Sequence, residues 1–163
     1  MANDSTSIER LPVSADVMRR ASSVGPKATL LAVQLVRMSA ELDEAHSTTP
    51  KFWRHARDWS VHRLSTTDLV SVLLRFGLDL ANTEEEKNSP TVRLLADYSL
   101  VYRIDRLSEF DEEDLKAFAQ LNGMFNAWPF WRELSSSTLA RMQTGNFVLP
   151  SLRVEQTPTV VKV

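Results

Sequence analysis

The sequence predicts a chain in which long strands come first and helices follow, an order typical of α+β folds. Residues 70–80 and 92–104 carry apolar side chains at every even position, with polar residues among the odd ones. This is the period of a strand that has one covered face. After Asp105 the apolar residues change to helical spacing. The length of 163 residues fits one domain with one core.

The chain is predicted to divide into a tail, a folded body and a second tail. Residues 1–27 are expected to be a polar N-terminal tail with at most a short helix near 15–22. The body spans 28–154, and residues 155–163 form a C-terminal tail. The first strand is placed at about 31–44, because apolar and polar residues alternate in the later half of that stretch.

The stretch from 45 to 65 shows no sustained period. It contains Pro50, three large aromatic residues and all three histidines, so we predict a long excursion between strands. The second strand follows at 70–80, although residues 61–80 together could supply two paired segments. The third strand covers 92–104 and is longer than most strands.

Two helices are predicted to complete the body. Acidic residues at 111–114 suit a helix N-terminus, and apolar spacing then favours a helix at about 112–123. Pro129 is taken as the start of a second helix at about 129–144, because proline is tolerated in a first turn. Gly145 is a suitable residue to end it.

Composition excludes several classes of protein. The formal net charge is −2, which argues against a basic surface for nucleic acid. There is no cysteine, so disulfides, thiolate metal sites and cysteine nucleophiles are excluded. No apolar run approaches the ~20 residues of a membrane span, and no secretory signal is recognised. The cytoplasm is therefore the expected location.

No catalytic or cofactor site is predicted. The histidines at 46, 55 and 62 do not have metal-ligand spacing, and we expect them in loops or on the surface. Ser135–Ser137 lack a nucleophile elbow, and the carboxylates at 109–114 are explained by a solvated helix start. Four scattered glycines cannot form a phosphate loop. We expect no enzyme activity, no bound metal and no cofactor.

Large aromatic residues outside the clearly patterned strands are the most distinctive feature. All four tryptophans lie in two segments, 52–59 and 125–131. Each aromatic residue taken alone is more simply explained as core or as an oligomer contact. As a set beside a sheet, they could instead line a groove for apolar polymer segments.

The C-terminal half resembles SecB and the SecB-like chaperones. The resemblance is carried by residues 125–133 (FNAWPFWRE), by a helix that ends in Ala140-Arg141-Met142, and by residues 148–152 (VLPSL). It covers about 92–154. Upstream it depends on the order of the strands, with 33–36 placed like the first strand of the family.

The resemblance implies a four-stranded antiparallel sheet on one side of two helices, assembled as a dimer of dimers. Members of the family are ATP-independent holdases that bind non-native polypeptides in grooves beside the first long connection, the sheet and the helices. The client-binding residues implied here are Phe52, Trp53, Trp59, Phe125, Trp128, Phe130, Trp131 and Leu149.

Three functions remain open at this point. The first is a general holdase linked to export, which would contact a translocase motor through acidic residues on the outer face of the sheet, here Glu41, Asp43 and Glu44. The second is a dedicated chaperone or adaptor for one partner, such as the antitoxin of a toxin–antitoxin pair. The third is a SecB-shaped scaffold with a small-molecule or enzymatic role.

Overall fold

A four-stranded antiparallel sheet, covered on one face by helices, forms the centre of the protein. The computed structural model describes residues 9–43, 52–64, 68–83, 90–144 and 147–157. The elements of these residues are β1 (Glu9–Val13), α1 (Ala15–Val24), β2 (Ala28–Leu42), β3 (Phe52–Arg63), β4 (Leu69–Ala81), β5 (Val92–Ile104), α2 (Glu112–Phe118), α3 (Met124–Arg141) and β6 (Leu152–Gln156).

The main sheet has the strand order β2-β5-β4-β3, with every neighbouring pair antiparallel. The even-numbered residues of β4 and β5 are buried beneath the helices, on what we call the inner face. The opposite side, which carries Arg75 and Asp97, is the outer face. The alternation predicted at 70–80 and 92–104 is confirmed, because burying one face requires an apolar residue at every second position.

The prediction of an excursion at 45–65 is wrong for the residues that form β3. Its inner-face positions pair with the buried even-numbered residues of β4 and include Trp53, Trp59 and Val61, but also His55 and Arg57. These two polar residues interrupt the apolar alternation. Residues 61–80 thus supply the end of β3 and one continuous β4. The strand predicted at 31–44 is β2, which begins earlier, at Ala28, and contains β-bulges near Leu31 and Val36.

The predicted helix break before Pro129 is also wrong, because α2 continues through one π-helical segment, Ala119–Gly123, directly into α3. Asp111 caps the start of α2 reciprocally with Asp114. Proline inside a helix costs about 3 kcal/mol. Burial of Met124, Trp128 and Trp131 on this helix outweighs that cost, since each large apolar side chain contributes about 1.5–3 kcal/mol.

The described part of the expected N-terminal tail is folded. Strand β1 pairs in parallel with β6, and Leu11 and Val13 are buried in the core. Helix α1 begins after its cap Ser14 and packs against α2, where Arg20 contacts Asp114 at 2.8 Å. These residues are therefore not the polar tail expected from the sequence, because β1 and β6 together cover a part of the core that the main sheet and the helices leave open. The domain boundaries at 28 and 154 stay predictions.

Candidate functional site

The eight residues expected to bind clients fall into three groups by exposure. Trp128, Trp131 and Leu149 are buried at 4%, 1% and 0% exposure, so in this chain they offer no surface to a polypeptide. Residues Phe52, Trp53 and Trp59 on β3 are half-buried. Phe125 and Phe130 are exposed at 50% and 47%. Client binding by the half-buried and exposed members stays a prediction.

The buried tryptophans form an aromatic cluster between α3 and the sheet. The rings of Trp131 and Phe76 stack with their centroids 5.6 Å apart, and Trp128 meets Phe76 edge-on at 6.1 Å. The Trp128 indole Nε1 also donates to the carbonyl oxygen of the buried Pro150 at 3.1 Å. This cluster therefore stabilises the packing of α3 and the segment at 147–150 against the sheet.

A buried histidine joins β3 to this cluster. His55 Nε2 accepts a hydrogen bond of 3.0 Å from Trp131 Nε1, which requires that nitrogen to be unprotonated. The other ring nitrogen, Nδ1, lies 3.6 Å from a carboxylate oxygen of Glu9, which also contacts Arg57 at 3.2 Å. Burial lowers the pKa of His55, although Glu9 opposes the shift. His55 is therefore a core residue here and not the loop or surface histidine expected from the sequence.

A half-exposed apolar patch lies where β3 begins. The Trp53 ring is 6.0 Å from that of Phe147, and the next residue, Val148, is 53% exposed. We call Trp53, Phe147 and Val148 the β3-end patch, whereas Phe52 pairs in register with Ala81 and takes an outer-face position. Arg132 Nε holds the segment of Phe147 and Val148 to α3 by donating to the carbonyl oxygen of Leu149 at 2.6 Å. The patch therefore brings Trp53 together with the segment after α3.

Strand β2 carries a larger exposed apolar surface. As an edge strand of the main sheet, it receives little cover from the helices, even where its side chains pair with inner-face residues of β5. We call the large apolar residues of β2 that pair with inner-face residues of β5 the β2 apolar face, and they are 37–47% exposed: Leu30, Leu35, Met38 and Leu42. Leu31 and Val36, at the bulges, are also exposed. The sequence predicted the strand but not its exposure, because the same alternation serves a buried and an uncovered face.

The outer face of the sheet carries a ladder of opposite charges. Asp97 contacts Arg75 and Arg37, each at 2.8 Å, and these arginines lower its pKa, the hydrogen bond from Arg75 being the main cause. Asp79 likewise contacts both Arg54 and Arg93. The ladder neutralises the carboxylates in the middle of the outer face.

The expected acidic residues lie at the margin of this ladder. Glu41 is exposed on β2 and pairs in register with Arg93, and Asp43 follows just after the strand. Glu44 lies outside the described residues. A shallow cavity of about 240 Å³ on the sheet is lined by Val36, Leu73, Asp97 and their neighbours. In this ladder every central carboxylate is balanced by arginine, so the described outer face is not a strongly acidic surface.

Other side chains considered for chemistry have structural partners. Ser135 and Ser137 hydroxyls donate to carbonyl oxygens of their own helix. Lys27 contacts Glu109 at 2.7 Å, and His62 lies 3.2 Å from Ser60, while His46 falls outside the described residues. Within the described ranges, no group of three histidine or acidic residues could hold a metal ion.

None of the described helices is both long and apolar enough to span a membrane.

Comparison with known proteins identifies the fold. No protein-family model and no curated protein matches the sequence. The chain is similar to the structure of Rv1957, a SecB-like chaperone of Mycobacterium tuberculosis in complex with a ChAD peptide from the Rv1956 HigA1 antitoxin. The TM-score is 0.71 at 19% identity, with 85% of this chain and 99% of Rv1957 covered.

A protein of unknown function from Streptococcus agalactiae also aligns, with a TM-score of 0.35 at 9% identity over 75% of this chain and 95% of that one. The similarity to Rv1957 extends over nearly all of that chain, and this chain has an antiparallel four-stranded sheet with helices. The chain therefore has the SecB-like α+β fold that its C-terminal half predicts.

Proposed function

We propose that this protein is an ATP-independent chaperone that holds non-native polypeptides on exposed apolar surfaces. The observation that carries the proposal is the presence of large exposed apolar side chains on a SecB-like fold. On the described residues these include Phe125, Phe130 and Val148. Contiguous exposed apolar surface on a folded protein indicates a site of interaction with other chains.

The β3-end patch and the exposed phenylalanines of α3 are the proposed client surface. Trp53 and Phe147 supply rigid apolar area beside the edge of the sheet, and Phe130 adds a half-exposed ring on the helix. Trp128, Trp131 and Leu149 support this surface from below through their packing. Phe52 and Trp59 belong to the same proposal as half-buried neighbours on β3.

A dedicated role for one partner is the second candidate, and two observations favour it over export. Rv1957 was solved with a peptide from an antitoxin, so a chain with the same fold suits a polypeptide of that kind. The charge ladder of the outer face pairs Asp79 and Asp97 with arginines. A translocase motor that recognises acidic residues would find few unbalanced carboxylates there.

The β2 apolar face supports assembly into a homotetramer, which we propose as the working state. Four large apolar side chains on one side of a single edge strand, at 37–47% exposure, exceed the scattered apolar residues normal for a monomer surface. Light scattering coupled to size exclusion at micromolar concentration measures the mass. We place the activity in the cytoplasm, since a chain without cysteine needs no oxidising compartment.

Aggregation assays test the function. Several unrelated proteins are denatured and diluted with the chaperone at about equal concentrations, without nucleotide, while light scattering follows aggregation. General suppression supports the holdase. Failure with all of them, together with binding of an antitoxin encoded beside the gene, supports the dedicated adaptor instead. Failure of both experiments would contradict a chaperone role.

A further inference from the structure

Strand β6 leaves one of its edges open. Glu9 N donates to Ser151 O, and Thr157 N donates to Val13 O, so the odd-numbered residues of β6 direct their backbone groups toward β1. Leu152, Val154 and Gln156 therefore direct their N–H and C=O groups the other way. Among the described residues, this small sheet has only two strands, and nothing in that part of the chain pairs with the outer edge of β6.

The two edges of the small sheet differ. On the outer edge of β1, Pro12 has no N–H to offer, and Arg57 already donates to the carbonyl oxygen of Arg10 at 3.0 Å. The β6 edge has no proline, and Arg153, Glu155 and Gln156 on this strand are exposed. The open backbone groups of β6 are therefore accessible to another strand.

The side chains of β6 are complementary to a second copy of the same strand. If two copies pair antiparallel about Val154, Arg153 lies opposite the partner's Glu155, and Glu155 lies opposite the partner's Arg153. Both residues are exposed. Val154 lies opposite the partner's Val154, and Leu152 lies opposite the partner's Gln156, both at hydrogen-bonded positions. The charged pairs occupy the positions between them, where side chains on the two strands approach more closely.

We propose that β6 pairs antiparallel with β6 of a second subunit, which joins the two small sheets into the continuous order β1-β6-β6-β1. Short charged edge strands usually discourage such pairing. Here the order of the charges favours it, because the two-fold arrangement places opposite charges across the junction. Arg10, which contacts Glu155 at 3.1 Å within one subunit, adds a second positive charge beside each acidic residue. This proposal does not depend on the chaperone activity.

Charge-reversal variants and their mixture test the pairing in the full-length protein. Arg153→Glu places two carboxylates opposite each other, and Glu155→Arg places two guanidinium groups opposite each other. Each variant alone should weaken the β6-dependent association by roughly ten- to thirty-fold, from the loss of two attractive cross-strand pairs and the gain of two repulsive ones. When the two variants are mixed, every pair is again opposite in charge, so association between them should recover.

Sedimentation velocity at tens to hundreds of micromolar is suitable, because five residues per strand bury less than the roughly 1,200 Å² of a standard interface. Arg103→Glu is the matched control, since it makes the same change in charge at an exposed residue of β5 and should leave association unchanged. Association that is unaffected by either β6 variant, or that fails to recover on mixing, would overturn the proposal. A wild-type protein that is monomeric throughout this range would also overturn it.

The register has its own test, because the chain contains no cysteine. Val154→Cys should form a disulfide between subunits under mild oxidation, since residues opposite each other at a hydrogen-bonded position have Cα atoms about 5.5 Å apart. Gln156→Cys should not, because its two copies are four residues apart along the paired strands, or about 14 Å at about 3.4 Å per residue. Equal crosslinking of both variants would refute the pairing. So would a Val154→Cys variant that crosslinks only to an added unfolded polypeptide with one cysteine and not to a second subunit.

Discussion

Replacing Trp128 or Phe130 with serine separates the buried support from the proposed client surface. The two residues lie two positions apart on α3, yet Trp128 is 4% exposed and Phe130 is 47% exposed. Truncating a buried tryptophan costs about 3–5 kcal/mol. Losing its indole donor also leaves the buried carbonyl of Pro150 without this hydrogen bond, which costs about 1–3 kcal/mol.

We therefore expect Trp128→Ser to reduce the free energy of unfolding by at least about 4 kcal/mol, or about 8–16 °C in melting temperature for a chain of this size. Phe130→Ser removes a ring that is already half in water. It should cost about 1 kcal/mol in stability, while it weakens binding of a denatured client by about 1–3 kcal/mol.

The assay combines thermal unfolding, oligomer mass and client affinity on the same samples. Leu73→Ser is the matched control, because Leu73 is 41% exposed but lies on the outer face of the sheet. It should leave client affinity unchanged. If Phe130→Ser melts as early as Trp128→Ser, or if Leu73→Ser weakens client binding equally, the assignment of the client surface to α3 is wrong.

Two further predictions concern the core. Burial lowers the pKa of His55 below 6.5 in the folded state, and Glu9 and Arg57 are the charged groups that face this ring. As the pH falls, the unfolded chain therefore binds a proton on His55 before the folded chain does. The stabilising contribution of His55 is present above about pH 6.5 and is lost as the pH falls below that value. Urea unfolding between pH 5 and 8 measures this, and His55→Gln should flatten the slope in that range. Gly123→Ala should destabilise the protein by about 1–3 kcal/mol, because the added Cβ would lie 2.9 Å from Val72 Cγ1. Adding Val72→Ala to this variant should restore part of the lost stability. Equal melting temperatures of wild type and Gly123→Ala would contradict this prediction.

The missed strand β3 shows why local patterns failed at one edge of the sheet. His55 and Arg57 occupy inner-face positions because Glu9 and Trp131 supply their partners. Glu9 is 46 residues away from His55 along the chain and Trp131 is 76 away. No window of neighbouring residues contains those partners, so the segment had no recognisable period. Local patterns do not predict strand β1 for the same reason, since its partner β6 lies about 140 residues further along the chain.

Within the candidate site, the sequence likewise predicts only part of the role of the large aromatic residues. The sequence identified which large rings lie near α3 and β3, but burial divided them into supporting residues such as Trp131 and exposed ones such as Phe125. That division depends on how α3 crosses the sheet. The position of α3 on the sheet depends on the π-helical segment that precedes it and on the continuation of the helix through Pro129. The local sequence predicts neither feature.

The sequence by itself determined the two central strands, the start of α2 and the change from strands to helices after Asp105. These features depend on side chains that repeat at a fixed period or cap a helix within one turn, so the information is local. Only the tertiary structure decided the inner place of His55, the pairing of β1 with β6, the neutral outer ladder and the exposure of β2. Each of these depends on contacts between residues distant in the chain, which form only when the sheet and helices pack together.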